Sequence, residues 1–148
     1  GVEEQLNNEK YEFKDRHWED YEDGGPKAGQ SLAPYLTMIN DIRRAHPALH
    51  WLRNLRFHRA DDDSFIVFSK RWKSGDQDDT VIVVANLDPH SFRETWVHLD
   101  MPQLGLDWHE TFTAHDEITG DSWRWGEHNF VRLGIGIEPL HILHVRDV

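Results

Sequence analysis

Residues 64–86 read SFIVFSKRWKSGDQDDTVIVVAN, two runs of β-branched and aromatic residues on either side of a stretch rich in Gly, Ser and Asp. Such runs, with an approximate period of two, are typical of strands, whereas KSGDQDD at 73–79 has the composition of a turn. The pattern predicts antiparallel strands over Ser64–Arg71 and Thr80–Asn86.

The same pattern continues from Trp51 to the last residue, with turn-forming stretches such as NLDPH at 86–90 and LGIGIEP at 133–139. Eight short strands at this spacing are typical of an antiparallel β-sandwich, so residues 51–148 are predicted to form one. The acidic runs at 61–63 and 76–79 are predicted at hairpin tips, where solvated charge discourages edge pairing. The other six predicted strands are Leu55–Arg59, Glu94–Leu99, His109–Ala114, Ser122–Gly126, Asn129–Leu133 and Pro139–Val145.

The chain before Trp51 is organised differently. Residues 1–30 show no sustained apolar period and end in a stretch that contains Gly and Pro, which indicates a long loop. In SLAPYLTMINDIRRAHP, apolar side chains recur at helical spacing, Ser31 can cap the first turn and Pro47 cannot continue a helix. A helix is therefore predicted from Ser31 to His46. The fold class is mainly β, with residues 1–50 as a loop and one helix in front of the sandwich.

Charge and composition exclude several classes of partner. The 148 residues carry 27 Asp and Glu against 16 Lys and Arg, a formal net charge of −11, which repels nucleic acid and anionic membranes. No run approaches the roughly 18 apolar residues of a membrane span, and residues 1–8 are too polar for a signal peptide. The absence of cysteine rules out disulfides and thiolate metal ligands and is compatible with a cytoplasmic protein, which is the expectation here.

Eleven histidines invite a metal interpretation, but their local spacing does not support one. His46 and His50 are four apart, yet Pro47 interrupts the helix between them. His141 and His144 are three apart in a predicted strand and so fall on opposite faces. The sequence therefore predicts neither a metal site nor a cofactor.

Trp123 and Trp125 fall on one face of a predicted strand, and paired aromatic faces are a common platform for sugar rings. Alternating large apolar residues in a sandwich strand are more often core, however, and Phe112 and Phe130 could pack against the same pair. An α-glucan-binding sandwich without catalytic activity stays open as an alternative function.

Lys10 and Tyr11, in the EKY at 9–11, place a cation and a phenol in the opening loop of a strongly acidic chain. An ammonium there can meet an anionic substrate group, and a phenol can contact a sugar or phosphate oxygen. The dipeptide alone is more often an exposed loop pair without a role.

Five blocks of the sequence together resemble the C-terminus of the GlgE-type α-1,4-glucan:maltose-1-phosphate maltosyltransferases, members of glycoside hydrolase family 13 in the α-amylase superfamily. The resemblance covers nearly the whole chain, although the loops at 20–30 and 73–79 match no motif. The blocks are NNEKYEFKDRHW, IRRAHPALHWLRNLRFH, TVIVVANLDPH, LDMPQLGLDWHETFTAHDEITG and RWGEHNFVRL.

The resemblance implies that residues 1–50 end a (β/α)₈ catalytic barrel and that the sandwich is the domain that follows it. It also implies transfer of maltosyl units from α-maltose 1-phosphate to the non-reducing end of α-1,4-glucans, with release of phosphate and retention of configuration. Retention uses two carboxyl groups roughly 5 Å apart. In the family both precede this segment, so the segment holds no catalytic residue and is expected to be inactive alone.

Among the residues present, Lys10 and Tyr11 match the family's EKY motif and are implied to contact the donor substrate. The family also implies a homodimer. A purely structural or dimer-forming role for the segment is the remaining possibility at this stage.

Overall fold

A computed structural model describes residues 33–148 of the chain. The chain divides into two compact units, residues 1–38 and residues 39–148, and the strands of the described residues all belong to the second. Within the described residues, no helix is long and apolar enough to cross a membrane.

All eight predicted strands are present, each within a few residues of its predicted bounds, and the mainly β fold class is confirmed. Helix α1 spans Ala33–Ala45 and is followed by a 3₁₀ turn at Pro47–His50. The strands are β1 Leu55–Ala60, β2 Phe65–Ser74, β3 Gln77–Asn86, β4 Arg93–His98, β5 Phe112–Asp116, β6 Ser122–Trp125, β7 His128–Leu133 and β8 Leu140–Arg146.

The described end of α1 agrees with the predicted helix, whose first residues, Ser31 and Leu32, lie outside the described part. His46 leaves the helix with extended backbone angles, φ −119° and ψ 105°. A residue that precedes proline avoids the helical region because the Pro47 ring would collide with its backbone. Proline therefore ends the helix as predicted.

The sheet is entirely antiparallel, with the order β6-β5-β8-β3-β2-β1-β4-β7. Strand β1 belongs to both layers, because Leu55–His58 pair with β2 whereas Arg59 and Ala60 pair with β4. Strands β6 and β7 end the order on opposite sides, yet only Gly126 and Glu127 separate them in the chain. The sheet therefore folds back on itself into a nearly closed sandwich.

The core lies between the two layers and is formed by alternate residues of the strands, as the burial of every second residue in β7 shows. Strand β3 is an exception, since Val81, Ile82 and Val84 are all fully buried. The 3₁₀ turn packs on the outer side of β2 and β3, so β3 is covered on both faces. This explains the continuous apolar run VIVVA. The fully buried large side chains include Phe112, Ile82, Leu99, Met101, Leu133 and Leu143.

The turn predicted at 73–79, between β2 and β3, is shorter than expected. Strands β2 and β3 continue through 73–79 as far as the pair Ser74–Gln77, so only Gly75 and Asp76 form the turn. Gly75 supplies the positive φ of 60° that this tight connection uses. Asp79 consequently lies within a strand and is buried, instead of standing at a solvated tip.

The fifth strand begins later than predicted, at Phe112 and not at His109. Residues 107–110 form a turn in which the Glu110 amide donates to the Asp107 carbonyl, while the Glu110 carboxylate accepts from the Asp107 amide. The Glu110 side chain thus fixes the turn that ends before the strand.

Candidate functional site

The predicted donor contacts, Lys10 and Tyr11, lie outside the described residues and stay predictions. Two places within residues 39–148 were singled out by the sequence or bring together chemically capable side chains: the surface beside Trp123 and a buried group of histidines and carboxylates.

The predicted tryptophan pair is divided between core and surface. Trp125 is buried in the core beside Phe112, its partner in the β5–β6 register, whereas Trp123 is 39% exposed. Trp125 therefore belongs to the core, as alternating apolar residues favour, and only Trp123 of the pair presents an exposed indole. Phe130 is also exposed and packs edge-to-face on Trp96, so it does not join the core as suggested.

A shallow cleft of about 270 Å³ lies beside Trp123. The Trp123 ring is tilted against the His141 ring, with centroids 5.1 Å apart, and the Nδ1 of His141 lies 2.9 Å from the Asp116 carboxylate. The cleft is lined by Trp123, Trp125, Phe130, Val131, Arg132 and His141. Of its aromatic lining, Trp123 and Phe130 are exposed and Trp125 is buried, so the cleft lacks the predicted pair of exposed tryptophans.

The two histidines of β8 have different carboxylate partners, as their predicted opposite faces imply. His141 pairs with Asp116, whereas His144 Nε2 lies 3.3 Å from Asp79 Oδ1. His46 approaches the same oxygen, with its Nδ1 at 2.9 Å. The fold therefore brings His46 and His144 together on one carboxylate, a grouping that local spacing could not suggest.

Glu117 faces the same two imidazoles from the other side. Its Oε1 lies 3.5 Å from His46 Nε2 and its Oε2 lies 3.9 Å from His144 Nδ1. The two imidazole centroids are 4.6 Å apart. We call His46, Asp79, Glu117 and His144 the histidine–carboxylate cluster. Its side chains are at most 23% exposed.

The second oxygen of Asp79 is held by the backbone, because the Ala48 amide donates to Oδ2 at 3.0 Å. The 3₁₀ turn that carries Ala48 is itself attached to the sheet by Asn54, whose amide donates to the carbonyls of Ala48 and Arg71. The carboxylate is therefore fixed by main-chain contacts, and its Oδ1 is aimed at the histidines.

The electrostatics of the cluster favour ionised Asp79 and protonated His46. Burial opposes ionisation of Asp79, but the contacts with His144, His46 and the Ala48 amide outweigh it and hold its pKa well below the ordinary range. The hydrogen bond to Asp79 raises the pKa of His46 against the opposing effect of burial. The Nδ1 of His144 accepts a hydrogen bond from Arg146 Nε at 3.0 Å, which leaves Nε2 as the protonated nitrogen toward Asp79.

Another histidine pair lies at the junction of β4 and β7. His98 and His128 place their Nδ1 atoms 2.8 Å apart, and Asp61 Oδ1 lies 2.8 Å from His98 Nε2. The His128 side chain is 55% exposed. The two rings share one hydrogen bond, and His128 Nε2 lies 3.5 Å from the Glu127 carboxylate, so this pair is a chain of polar contacts at the surface.

Comparison with known proteins gives a consistent result. The family model described as "GLGE, C-terminal" matches residues 57–145. The chain is similar to Alpha-1,4-glucan:maltose-1-phosphate maltosyltransferase 2 of Streptomyces coelicolor, with 52% identity over 99% of this chain and 21% of that protein. Its identity to the enzyme of Mycolicibacterium smegmatis is 41% over 98% of the chain, and to that of Mycobacterium tuberculosis 37% over 100%, in each case 20% of the relative. The chain spans about a fifth of the length of these curated relatives.

Proposed function

The chain belongs to the family described as "GLGE, C-terminal", and from that premise we propose that it is the C-terminal part of an α-1,4-glucan:maltose-1-phosphate maltosyltransferase. The reaction transfers a maltosyl unit from α-maltose 1-phosphate to the non-reducing end of an α-1,4-glucan and releases phosphate. The observation that carries the proposal is 52% identity over 99% of the chain to a relative named for this activity.

The division of labour within the protein is part of the proposal. An upstream barrel of the α-amylase type supplies the two carboxyl groups of a retaining mechanism, and residues 1–50 end that barrel. The sandwich supports it without taking part in the chemistry. Trp51, Leu52 and Phe57, all more than half exposed, lie where the chain enters the sandwich. Exposed apolar side chains of this size favour a packing surface for another domain.

The first test compares phosphate release from α-maltose 1-phosphate, with a maltooligosaccharide acceptor, by the 148-residue chain and by the protein extended with its natural upstream sequence. We expect release by the longer protein alone, because the catalytic carboxylates lie upstream. Release by the short chain would contradict the proposed division of labour. Absence of release from both would contradict the proposed substrate.

Lys10 and Tyr11 are proposed to contact the donor, with Lys10 next to its phosphate. Replacing Lys10 by alanine in the extended protein is expected to raise KM for α-maltose 1-phosphate about 10- to 100-fold, the equivalent of one charge-assisted hydrogen bond. The kcat should change little, because the contact is the same in the ground state and the transition state. Steady-state kinetics with varied donor measure both constants.

Lys14→Ala is the matched control, since it removes a cation from the same segment but outside the EKY motif. Its KM should stay at the wild-type value. Equal KM values for wild type and Lys10→Ala would remove Lys10 from the donor site. Equal increases for Lys10→Ala and Lys14→Ala would indicate general electrostatic attraction.

The extended protein is also proposed to be a homodimer located in the cytoplasm. Sedimentation velocity of the extended protein tests the dimer, since a single species at the monomer mass would contradict it. Fractionation of the cells that produce it tests the location.

A further inference from the structure

We propose that the histidine–carboxylate cluster is a Zn²⁺ site, with His46, Asp79 and His144 as ligands and Glu117 as the outer carboxylate that orients both imidazoles. The inference concerns residues that the transfer reaction does not use. It holds whether or not the proposed substrate is correct.

The ligand atoms have a suitable arrangement. One atom from each of the three side chains lies within 4.8 Å of the others, with 2.9 Å from His46 Nδ1 to Asp79 Oδ1 and 3.3 Å from that oxygen to His144 Nε2. Ligand atoms of a tetrahedral zinc site are about 3.4 Å apart, given zinc bonds of about 2.1 Å. Shifts of a few tenths of an ångström at the Asp79 oxygen and a closer approach of the imidazoles complete the geometry.

The outer contacts are those that a metal site needs. Histidine ligands generally direct their second ring nitrogen at a carboxylate, and a ligating carboxylate is hydrogen-bonded through its other oxygen. Here the second nitrogens of both His46 and His144 face Glu117, and Asp79 Oδ2 accepts from the Ala48 amide. Each of the three ligands is thus oriented by a group that does not itself bind the metal.

Glu117 shows that the cluster is incomplete as a hydrogen-bonded network. Its Oε2 is buried and has no hydrogen-bond partner among the described residues, a costly condition for a carboxylate oxygen. When zinc occupies Nε2 of His144, the ring proton moves to Nδ1 and faces Glu117. Without zinc, Arg146 donates to that Nδ1, and its terminal NH2 group lies 3.6 Å from Glu117 Oε2. Once Nδ1 carries a proton it cannot accept from Arg146, which is then displaced toward Glu117 Oε2.

The ligand set favours zinc over the other common cations. Two imidazoles and one carboxylate suit Zn²⁺, whereas Mg²⁺ and Ca²⁺ take oxygen ligands almost exclusively. Three protein ligands leave a fourth position for water. Because His46 precedes the 3₁₀ turn while Asp79 and His144 lie on neighbouring strands, the metal would fasten the segment that enters the sandwich to the sheet.

The test measures zinc binding by the extended protein and three variants. Each is stripped with a chelator and titrated with Zn²⁺ in a calorimeter, and its metal content after gel filtration is measured by mass spectrometry. Wild type should hold one zinc more per chain than His144→Gln. Glu117→Gln, which keeps all three ligands, should bind that zinc about 10- to 100-fold more weakly. Co²⁺ should give the visible absorption of a tetrahedral site in wild type and in His128→Ala, but not in His144→Gln, which lacks one ligand.

His128→Ala is the control, because it removes a ring from the surface histidine pair and should leave zinc affinity unchanged. Circular dichroism establishes whether each variant is folded. If His144→Gln is unfolded, the zinc affinity of Glu117→Gln still tests the site. The proposal is overturned if stripped wild type takes up no more zinc than His144→Gln, or if His128→Ala, and not Glu117→Gln, loses the metal.

Discussion

Replacing Asp116 by alanine is expected to lower the free energy of unfolding by about 3 to 4 kcal/mol, because the substitution removes a fully buried carboxylate and leaves two partly buried partners without their acceptor. Asp116 is fully buried at the end of β5. Its carboxylate accepts from the Ile118 amide at 2.9 Å and lies 2.9 Å from His141 Nδ1. Urea denaturation of wild type and variant measures the difference.

Asp116→Asn is the matched control and also tests the pH dependence. The asparagine oxygen can still accept from the Ile118 amide but carries no charge opposite His141, so its loss of stability should be smaller than that of alanine. If Asp116→Ala unfolded with the same free energy as wild type, the Asp116 carboxylate would not contribute to stability.

The sign of the pH effect follows from the lowered pKa of Asp116. Burial alone would raise that pKa, but the contacts with His141 and the Ile118 amide lower it below its ordinary value. The unfolded chain therefore takes up the proton first as pH falls. This contribution is complete above about pH 5 and is lost progressively below it, so Asp116→Asn should show a flatter decline of stability in acid.

Gly134→Ala is expected to destabilise the sandwich by about 3 to 5 kcal/mol, since it combines a forbidden backbone angle with a collision. Gly134 has φ of +142°, and a Cβ atom there would lie 2.5 Å from the Phe92 Cα. It would also lie 2.8 Å from the Asn86 amide nitrogen, which donates to the Leu133 carbonyl in the core. Thermal unfolding followed by circular dichroism measures the loss.

Gly136→Ala separates the two causes. Gly136 has a positive φ of 83° in the same turn, but among residues 33–148, apart from its two chain neighbours, no atom lies within 4 Å of the Cβ position. Its substitution should cost about 1 to 2 kcal/mol, the price of the left-handed angle alone. Equal losses at the two glycines would show that the contact with Phe92 and Asn86 has no part in the effect.

The strands could be predicted from the sequence because their signals are local. Period-two runs and turn-forming residues lie within ten residues of each other, and all eight strands follow them. The prediction of a solvated hairpin tip at 76–79 was wrong because it, too, used only local composition. A Gly-containing stretch with three aspartates has the composition of a solvated tip, whereas Asp79 is buried by partners that are distant in sequence.

The histidine–carboxylate cluster could not be predicted from spacing. His46 lies 33 residues before Asp79, and His144 belongs to the last strand. Only the pairing of β3 with β8, and the packing of the 3₁₀ turn on β2 and β3, bring them together. One local pattern in the sequence could have indicated it. Asp79 and Thr80 come directly before the apolar run of β3, and a charged residue next to a buried run is expected to have a partner.

For Trp123 and Trp125, the local pattern predicted the orientation of the side chains but not their burial. Strand alternation correctly placed Trp123 and Trp125 on one face, but whether a face is covered depends on what packs against it. Phe112 and the rest of the core cover Trp125, whereas Trp123 packs on the His141 ring and is 39% exposed.

Strand order also determines when the sandwich can form. The β2–β3 hairpin joins ten residue pairs through a two-residue turn, so it can assemble as soon as both strands exist. Strand β8 comes last in the chain but lies between β3 and β5. During synthesis, β5 and β6 therefore have no edge to join until Leu140–Arg146 have left the ribosome. Until that moment the apolar edge of β3 is open to pairing with other chains, and the final strand is what ends this exposure.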